Sequence, residues 1–149
     1  EFIEPQLCTC GLYGCLETEC SIRGINGRAR KLLSEKKLRS TLVDDETLSP
    51  KRIFNAAKEG DPVGLAVVDN VGQYLGQTCA ALAATTDPKA ILIGGGIANA
   101  GQILIDAIKK HYVNYAFSAI RNMQFELAKL GNDAGMFGAA YLIIEGNQA

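Results

Sequence analysis

The side chains best suited to chemistry lie near the start of the chain. Cys8, Cys10 and Cys15 fall within eight positions, and Glu17 follows two residues later. Thiolates at this density are typical of a disulfide framework or of a site for a soft metal, chiefly zinc. The two glycines between the cysteines allow the loop to fold back so that the sulfurs converge. A metal bound there would fix the position of the carboxylate that follows.

Cysteine usage favours a metal site over disulfides. The chain has five cysteines, an odd number, and contains no Asn-x-Ser/Thr sequon. It shows no signal peptide, so we expect a cytoplasmic protein, in which cysteine clusters more often bind metal. Cys8, Cys10 and Cys15 would supply three of four tetrahedral zinc ligands, with Cys20 or a residue outside this sequence as the fourth. Free thiols or an adventitious disulfide are the alternative.

Length and composition indicate one ordinary globular domain. A chain of 149 residues is long enough to bury a core, and 48% of its residues are hydrophobic. The net charge of −1 gives no electrostatic reason to expect nucleic-acid or anionic-membrane binding. No apolar run approaches the ~20 residues that a membrane helix needs. The first residue is Glu1 and not Met, which leads us to expect a fragment of a longer protein.

A glycine-rich turn is the second candidate site. The apolar run Ala90–Ile93 predicts a buried parallel strand, and Gly94, Gly95 and Gly96 follow it directly. A helix is expected to begin near Asn99 as its cap. A strand, a glycine turn and a helix N-terminus together are typical of phosphate or nucleotide binding. The turn lacks the Gly-Lys-Ser/Thr of a Walker A loop and the third glycine of a dinucleotide fingerprint, so a purely structural turn is the alternative.

Other patterns predict the elements around these sites. Alternating helix and strand signals after residue 88 predict an α/β unit with a parallel strand pair, the second strand lying at 123–128. Gly72 and Gly76 share one face of a long helix and predict close approach of a neighbour. Small residues in the last helix predict tight packing there, and His111 is expected to be a solvated helical side chain. Helices are predicted from Leu16 to about residue 33, from Pro50 to before Gly60, from Pro62 to about 84, from Asn99 to about 112, and from Ala134 to about Ile144.

Three segments resemble the ROK family of repressors, uncharacterised reading frames and sugar kinases. The first is similar to the family's zinc motif: Cys8-x-Cys10-Gly11-x-x-Gly14-Cys15-x-Glu17. The segment 87–97 resembles the family's adenosine-binding segment, and 133–140 is similar to its C-terminal helix. The similarity runs from the first cysteine almost to the end of the chain. The zinc motif is highly specific, and the other segments support it.

The resemblance implies an actin-like, hexokinase-type (ribonuclease H-like) α/β fold of two lobes. Residues 1–149 would form the C-terminal lobe, helix-rich with a short parallel strand pair. The zinc loop would be 8–17 and the nucleotide-binding turn 88–99. The N-terminal lobe, with its phosphate-binding loop and the Asp that acts as catalytic base, lies outside this sequence, as does the family's zinc-binding His. By this resemblance the chain carries no catalytic residue.

The resemblance also implies a function and its cofactors. Cys8, Cys10 and Cys15 would hold a structural zinc ion, and Glu17 would contact sugar hydroxyls. Gly94, Gly95 and Gly96 would line the site of Mg-ATP. The expected reaction is ATP-dependent phosphorylation of a hexose, with glucose to glucose 6-phosphate as the first expectation. The chain alone is expected to be inactive, and the whole protein a homo-oligomer.

Two other functions are weighed against the kinase. The chain would otherwise be the sugar-sensing effector domain of a ROK-family repressor, whose DNA-binding part lies upstream. Repressors of the family often lose the glycine turn, whereas this chain keeps it, which favours the kinase. A zinc-stabilised interaction module is a third hypothesis, and zinc binding without ATP affinity in the full-length protein would favour it over the kinase.

Overall fold

A computed structural model describes residues 6–146, and a 25-residue helix, α4, runs through its centre. The helix begins as the Asp-Pro pair predicts, because the Asp61 side chain accepts hydrogen bonds from the backbone N–H groups of Val63 and Gly64. The segment that carries Cys8, Cys10 and Cys15 is a loop, as its glycines predicted, and residues 1–5 lie outside the described residues. The elements are α1 (Glu17–Cys20), α2 (Ile22–Glu35), α3 (Pro50–Lys58), α4 (Pro62–Thr86), β1 (Ala90–Ile93), α5 (Gln102–Tyr115), β2 (Gln124–Leu127) and α6 (Ala134–Gly146).

Helices α4 and α5 pack backbone against backbone. A Cβ atom added at Gly72 would lie 2.6 Å from the Cβ of Ala107, and one added at Gly76 would lie 2.8 Å from the backbone nitrogen of Tyr112. Neither distance is compatible with a side chain larger than hydrogen. The predicted close approach at these two glycines is therefore confirmed, and α5 is the partner.

A polar cluster joins the same two helices at the surface. Asp69 of α4 accepts a hydrogen bond from Lys110 Nζ at 2.7 Å, and its carboxylate lies 2.8 Å from His111 Nε2. The His111 side chain is only 15% exposed, so the expectation of a solvated histidine is wrong. Helix α4 packs over the imidazole ring of His111, and the sequence pattern of α5 alone does not indicate this contact.

The two strands form a parallel pair connected by α5. Ile91 lies opposite Phe125 in the register, and the Tyr112 ring of α5 packs edge-on against Phe125 with 5.0 Å between ring centroids. The Tyr112 hydroxyl donates to the carbonyl oxygen of Ile120 at 2.8 Å. The predicted α/β unit is confirmed. The strand β1 is less buried than expected, since Leu92 is 63% exposed on the face that the described residues leave uncovered.

Two helix boundaries differ from the sequence prediction. The helix expected from Leu16 is divided at Ser21, whose side chain accepts a hydrogen bond from the Gly24 N–H at 3.3 Å and so caps α2. The helix expected from Asn99 begins only at Gln102. Residues Gly96–Ala100 form a 3₁₀ turn, and Gly101 occupies the capping position that the sequence assigned to Asn99.

The last helix, α6, does not make the tight packing predicted from its small residues. A Cβ atom added at Gly135 or Gly138 would meet nothing within 4 Å in the described structure. Neither α6 nor any other helix within residues 6–146 is long and apolar enough to cross a membrane. The large apolar side chains of α6 are between 54% and 70% exposed: Met136, Phe137, Tyr141, Leu142, Ile143 and Ile144.

Candidate functional site

The three predicted metal ligands converge on one point. The Sγ atoms of Cys8, Cys10 and Cys15 all lie within 4.8 Å of one another, and those of Cys10 and Cys15 are 3.5 Å apart. A tetrahedral zinc ion with Zn–S bonds of about 2.3 Å separates its sulfur ligands by about 3.8 Å. The donor set and its spacing therefore fit a zinc ion with three thiolate ligands and one further position.

The loop reaches this shape through two glycines in the left-handed region. Gly11 has φ of +87° and Gly14 has φ of +77°, conformations that L side chains rarely adopt. The Cys8 N–H donates to the carbonyl oxygen of Leu12 at 2.8 Å, which closes the turn that contains Cys10. The sequence expectation that these glycines fold the loop back is confirmed.

The three thiols compete for negative charge. Hydrogen bonds from the Cys10 backbone and thiol lower the pKa of Cys8 below its usual value. The hydrogen bond with the Cys10 thiol, together with burial and the other nearby sulfur, raises the pKa of Cys15 to about 11. A thiolate at one position thus opposes deprotonation of the next. A divalent cation bound among them would supply the charge that lets all three act as ligands.

Cys20 does not join the cluster. It packs half-buried against the hydrophobic core, and burial followed by the negative charges of Glu19 and Glu17 raises the pKa of its thiol to about 12. The structure therefore does not bring Cys20 to the three converging sulfurs, and the fourth ligand stays a prediction. Cys79 is 6% exposed inside α4 and is a buried thiol of the core.

Glu17 is positioned directly by the cysteine loop. The Thr18 N–H and hydroxyl both donate to the carbonyl oxygen of Cys15, at 3.0 and 2.7 Å, and this anchors the first turn of α1. Gly24 of α2 packs on the other side of that turn, where an added Cβ atom would lie 2.3 Å from the Thr18 carbonyl oxygen. The carboxylate of Glu17 is solvent-exposed at the edge of the contact between α1 and α2.

One cleft brings the two predicted sites together. Glu17 lies on one wall of a cleft of about 690 Å³, and Gly96 and Ile97 lie on the other. The N-terminal ends of α2 and α3 form its remaining sides. An adjoining cleft of about 410 Å³ shares Pro50, Lys51 and Gly96 with the first and extends to Phe54, Asn55 and Asn99.

Only part of the glycine turn faces these clefts. Gly96 borders both of them, whereas a Cβ atom added at Gly94 would lie 3.3 Å from Ala128 beyond the end of β2. An added Cβ at Gly95, which has φ of +72°, would meet nothing within 4 Å. The three glycines thus have different surroundings, although the sequence treats them as one run.

The sequence reasoning missed the contribution of α3. Lys51 and Asn55 lie four residues apart and border the clefts, although the sequence analysis predicted only the bounds of this helix. The signal was present in the same spacing, because residues at i and i+4 share one face of a helix. A polar pair at that spacing beside a predicted glycine turn marks α3 as a wall of the site.

Comparison with known proteins places this arrangement in a family. The model of the ROK family matches residues 2–146. This chain belongs to the ROK family. A glucokinase of Halalkalibacterium halodurans is 39% identical over 140 residues, which cover 91% of this chain and 42% of that protein. The DNA-binding transcriptional dual regulator NagC of Escherichia coli K12 is 35% identical over 121 residues, covering 80% of this chain and 29% of the regulator.

A solved structure shares the fold. The ROK family glucokinase from Streptomyces griseus, crystallised in complex with glucose and AMPPNP, superposes with a TM-score of 0.81 at 30% identity. The match covers 93% of this chain and 47% of the glucokinase. The predicted actin-like, hexokinase-type fold class is confirmed. The chain spans about half the length of the glucokinases that it matches.

Proposed function

We propose that residues 1–149 form the C-terminal lobe of an ATP-dependent hexose kinase, with glucose as the phosphoryl acceptor. The observation that carries this proposal is that Glu17 and Gly96 border a single cleft. Phosphoryl transfer requires the donor and the acceptor to lie in contact, and a shared cleft provides that geometry. Relatives with the name glucokinase support the same assignment, as does a structure of similar fold that was crystallised with glucose and AMPPNP.

The exposed carboxylate of Glu17 would bind the sugar. A carboxylate accepts hydrogen bonds from adjacent hydroxyl groups and so fixes the orientation of a hexose ring. Its attachment to the Cys15 carbonyl through Thr18 limits its movement. Gly94, Gly95 and Gly96 would form the nucleotide side, and Gly96 is the one that the described clefts include.

Cys8, Cys10 and Cys15 would hold a structural zinc ion. The ion would supply no chemistry to the sugar, and it would fix the loop from which α1 begins. A fixed loop would in turn fix Glu17, because the adjacent Thr18 donates a hydrogen bond to the carbonyl oxygen of Cys15. The group found among residues 6–146 has three members, so a fourth ligand would come from outside it.

The remaining parts of the reaction belong outside this chain. The general base that accepts the hydroxyl proton is assigned to the N-terminal lobe, and Mg²⁺ would accompany the triphosphate as part of the substrate. Among the described residues the cysteine cluster is the one group of three or more potential metal ligands, so no carboxylate set for Mg²⁺ is assigned here. The 149-residue chain alone should therefore bind ligands without turnover.

A calorimetric experiment on the chain tests this proposal. Titrations with glucose and with ADP should both show binding, and Glu17→Gln should weaken glucose binding about tenfold or more while leaving ADP binding unchanged, since hydrogen bonds to a charged acceptor are among the stronger ones. Glu35→Gln, which removes an equal charge outside the clefts, should change neither. Loss of ADP binding in Glu17→Gln, or unchanged glucose binding, would contradict the assigned role.

The similarity to NagC favours a sugar sensor as the second candidate function. A sensor of this kind would use the Glu17 end of the cleft and would have no need of the nucleotide end. Glucose or an amino sugar would then bind with no measurable ADP binding in the same titrations. That result would move the assignment from kinase to repressor effector domain, and the intact glycine turn is the feature that argues against it.

A further inference from the structure

A lysine stands where the two clefts meet. Pro50, Lys51 and Gly96 border both clefts, and Lys51 is the one among them with a charged side chain. We propose that Lys51 binds the phosphate groups of the nucleotide. This inference rests on the proposed kinase function, and it assigns the phosphate-binding cation of this lobe to a helix outside the glycine turn.

The position follows from the path that a phosphoryl group must take. The acceptor hydroxyl is expected beside Glu17, and the nucleotide beside the glycine turn. The terminal phosphate must therefore point from the smaller cleft into the larger one, and the phosphate chain must cross the part that the clefts share. Lys51 borders that part. A polyphosphate carries several negative charges, so a cation at this place lowers the electrostatic cost of binding it.

Lys51 is free to take this role. Among the residues that the structure describes it forms no salt bridge, whereas the next residue, Arg52, pairs with Asp45 at 3.6 Å and borders neither cleft. Arg23 is the other cation beside the larger cleft, and it also borders the small cavity next to Cys8, at the sugar end. Lys51 is therefore the cation that borders both clefts, whereas Lys58, which donates to the Asn99 carbonyl oxygen at 3.5 Å, borders neither.

The location of Lys51 in α3 indicates a purpose other than helix stability. It is the second residue of the helix, and the first turn of α3 contains no acidic residue. The exposed N–H groups at a helix N-terminus favour negative side chains and disfavour a cation. The positive charge of Lys51 therefore interacts unfavourably with the N-terminal end of α3, and an anionic ligand bound beside it would offset that repulsion.

The experiment compares ADP with adenosine. Both are titrated into the 149-residue chain and into two charge-matched variants, Lys51→Gln and Arg52→Gln. We expect Lys51→Gln to raise the Kd for ADP about tenfold and to leave the Kd for adenosine unchanged, because only ADP has phosphates to lose a charged partner. The ADP affinity of Lys51→Gln should also depend less steeply on salt. Arg52→Gln should bind both ligands as the unmodified chain does.

Thermal unfolding of the same proteins separates a binding role from a structural one. The Tm of ligand-free Lys51→Gln should equal or exceed that of the unmodified chain. Equal ADP affinity in Lys51→Gln would overturn the role of Lys51 and leave the kinase proposal standing. Parallel weakening of ADP and adenosine with a lower Tm would also overturn it, as a structural effect. If the unmodified chain binds neither ligand, the nucleotide site itself is wrong and both proposals fail.

Discussion

The sulfur atoms of Cys8, Cys10 and Cys15 lie so close together that their thiolates would repel one another, and a bound cation would offset that repulsion. Three thiols within 4.8 Å cannot all ionise easily, as the raised pKa of Cys15 shows. In the absence of a metal the loop is closed by few hydrogen bonds, among them that from the Cys8 N–H to Leu12. Zinc bound by all three sulfurs would turn this loop into a rigid base for Glu17.

A cysteine substitution tests whether the cluster holds that ion. We expect Cys15→Ser to lower the zinc content, measured by mass spectrometry of the purified chain, from about one ion to well below one, since hydroxyl oxygen replaces a thiolate ligand poorly. Cys79→Ala should keep the zinc content and lose roughly 1 kcal/mol of stability, because it removes only a buried thiol. Equal zinc in both variants would show that the ion binds elsewhere.

The chemistry of single residues was predictable where it depends on sequence neighbours. Cys8, Cys10 and Cys15 stand close in sequence, with glycines that can turn the backbone, and their convergence follows from that spacing. Cys20 was ambiguous because its fate depends on the core that α4 offers it. The role of Lys51 depends on the distant Gly96 turn, and no pattern around residue 51 contains that information.

At the scale of elements, the contact between α1 and α2 decides where Glu17 lies. The two helices meet through Gly24, whose Cα approaches the backbone of Thr18 so closely that no side chain fits. Three residues further on, Gly27 lies on the same helix with open space around it. The chain thus offers two helical glycines whose replacement should have opposite effects.

Replacement of each glycine by alanine gives a matched pair. Gly24→Ala should lower the free energy of unfolding by about 1–3 kcal/mol and weaken glucose binding, because the new Cβ must push α1 and Glu17 away. Gly27→Ala should raise stability by about 0.5–1 kcal/mol, because alanine favours the helix and meets no neighbour. Urea unfolding and glucose titration of both variants provide the check. A stable, sugar-binding Gly24→Ala protein would contradict the described contact.

Local sequence patterns predict where a helix can start and which face can pack, but they do not identify the packing partner. The start of α4 at Asp61-Pro62 and the glycines facing α5 were both predicted, because each feature involves residues only one to four positions apart in the sequence. The small residues of α6 predicted packing by the same rule, and no described residue packs there. A pattern can show that a face is able to pack, but the partner is set by the rest of the protein.

At the scale of the whole molecule, one buried carboxylate joins segments that are distant in sequence. Asp61 is 7% exposed, and besides capping α4 it accepts hydrogen bonds from the Thr41 N–H at 2.6 Å and from the Ser40 hydroxyl at 2.9 Å. It therefore ties the charged connection after α2 to the junction between α3 and α4. The pair Asp61-Pro62 predicted the start of α4, but no local pattern indicated the hydrogen bonds with Ser40 and Thr41, so the long-range half of this role was missed.

This carboxylate should make the stability of the molecule sensitive to acid. Burial raises the pKa of Asp61, but the hydrogen bonds from the Gly64 and Thr41 N–H groups and from the Ser40 and Thr41 hydroxyls outweigh it, and the net pKa is lowered. A depressed pKa in the folded state gives stability that is complete above the unfolded pKa of about 3.9 and is lost as the pH falls from there through the folded value.

Asp61→Asn should therefore cost about 2–4 kcal/mol of unfolding free energy at pH 7, since it leaves buried N–H donors facing an amide instead of a carboxylate. The difference between the two proteins should shrink as the pH falls from 5 to 3, because the unmodified chain loses the charge that the variant already lacks. Urea unfolding at several pH values measures both curves. Glu35→Gln, at an exposed ion pair, should stay within about 0.5 kcal/mol throughout. Parallel curves for Asp61→Asn and the unmodified chain would show that Asp61 does not bind its partners as a carboxylate.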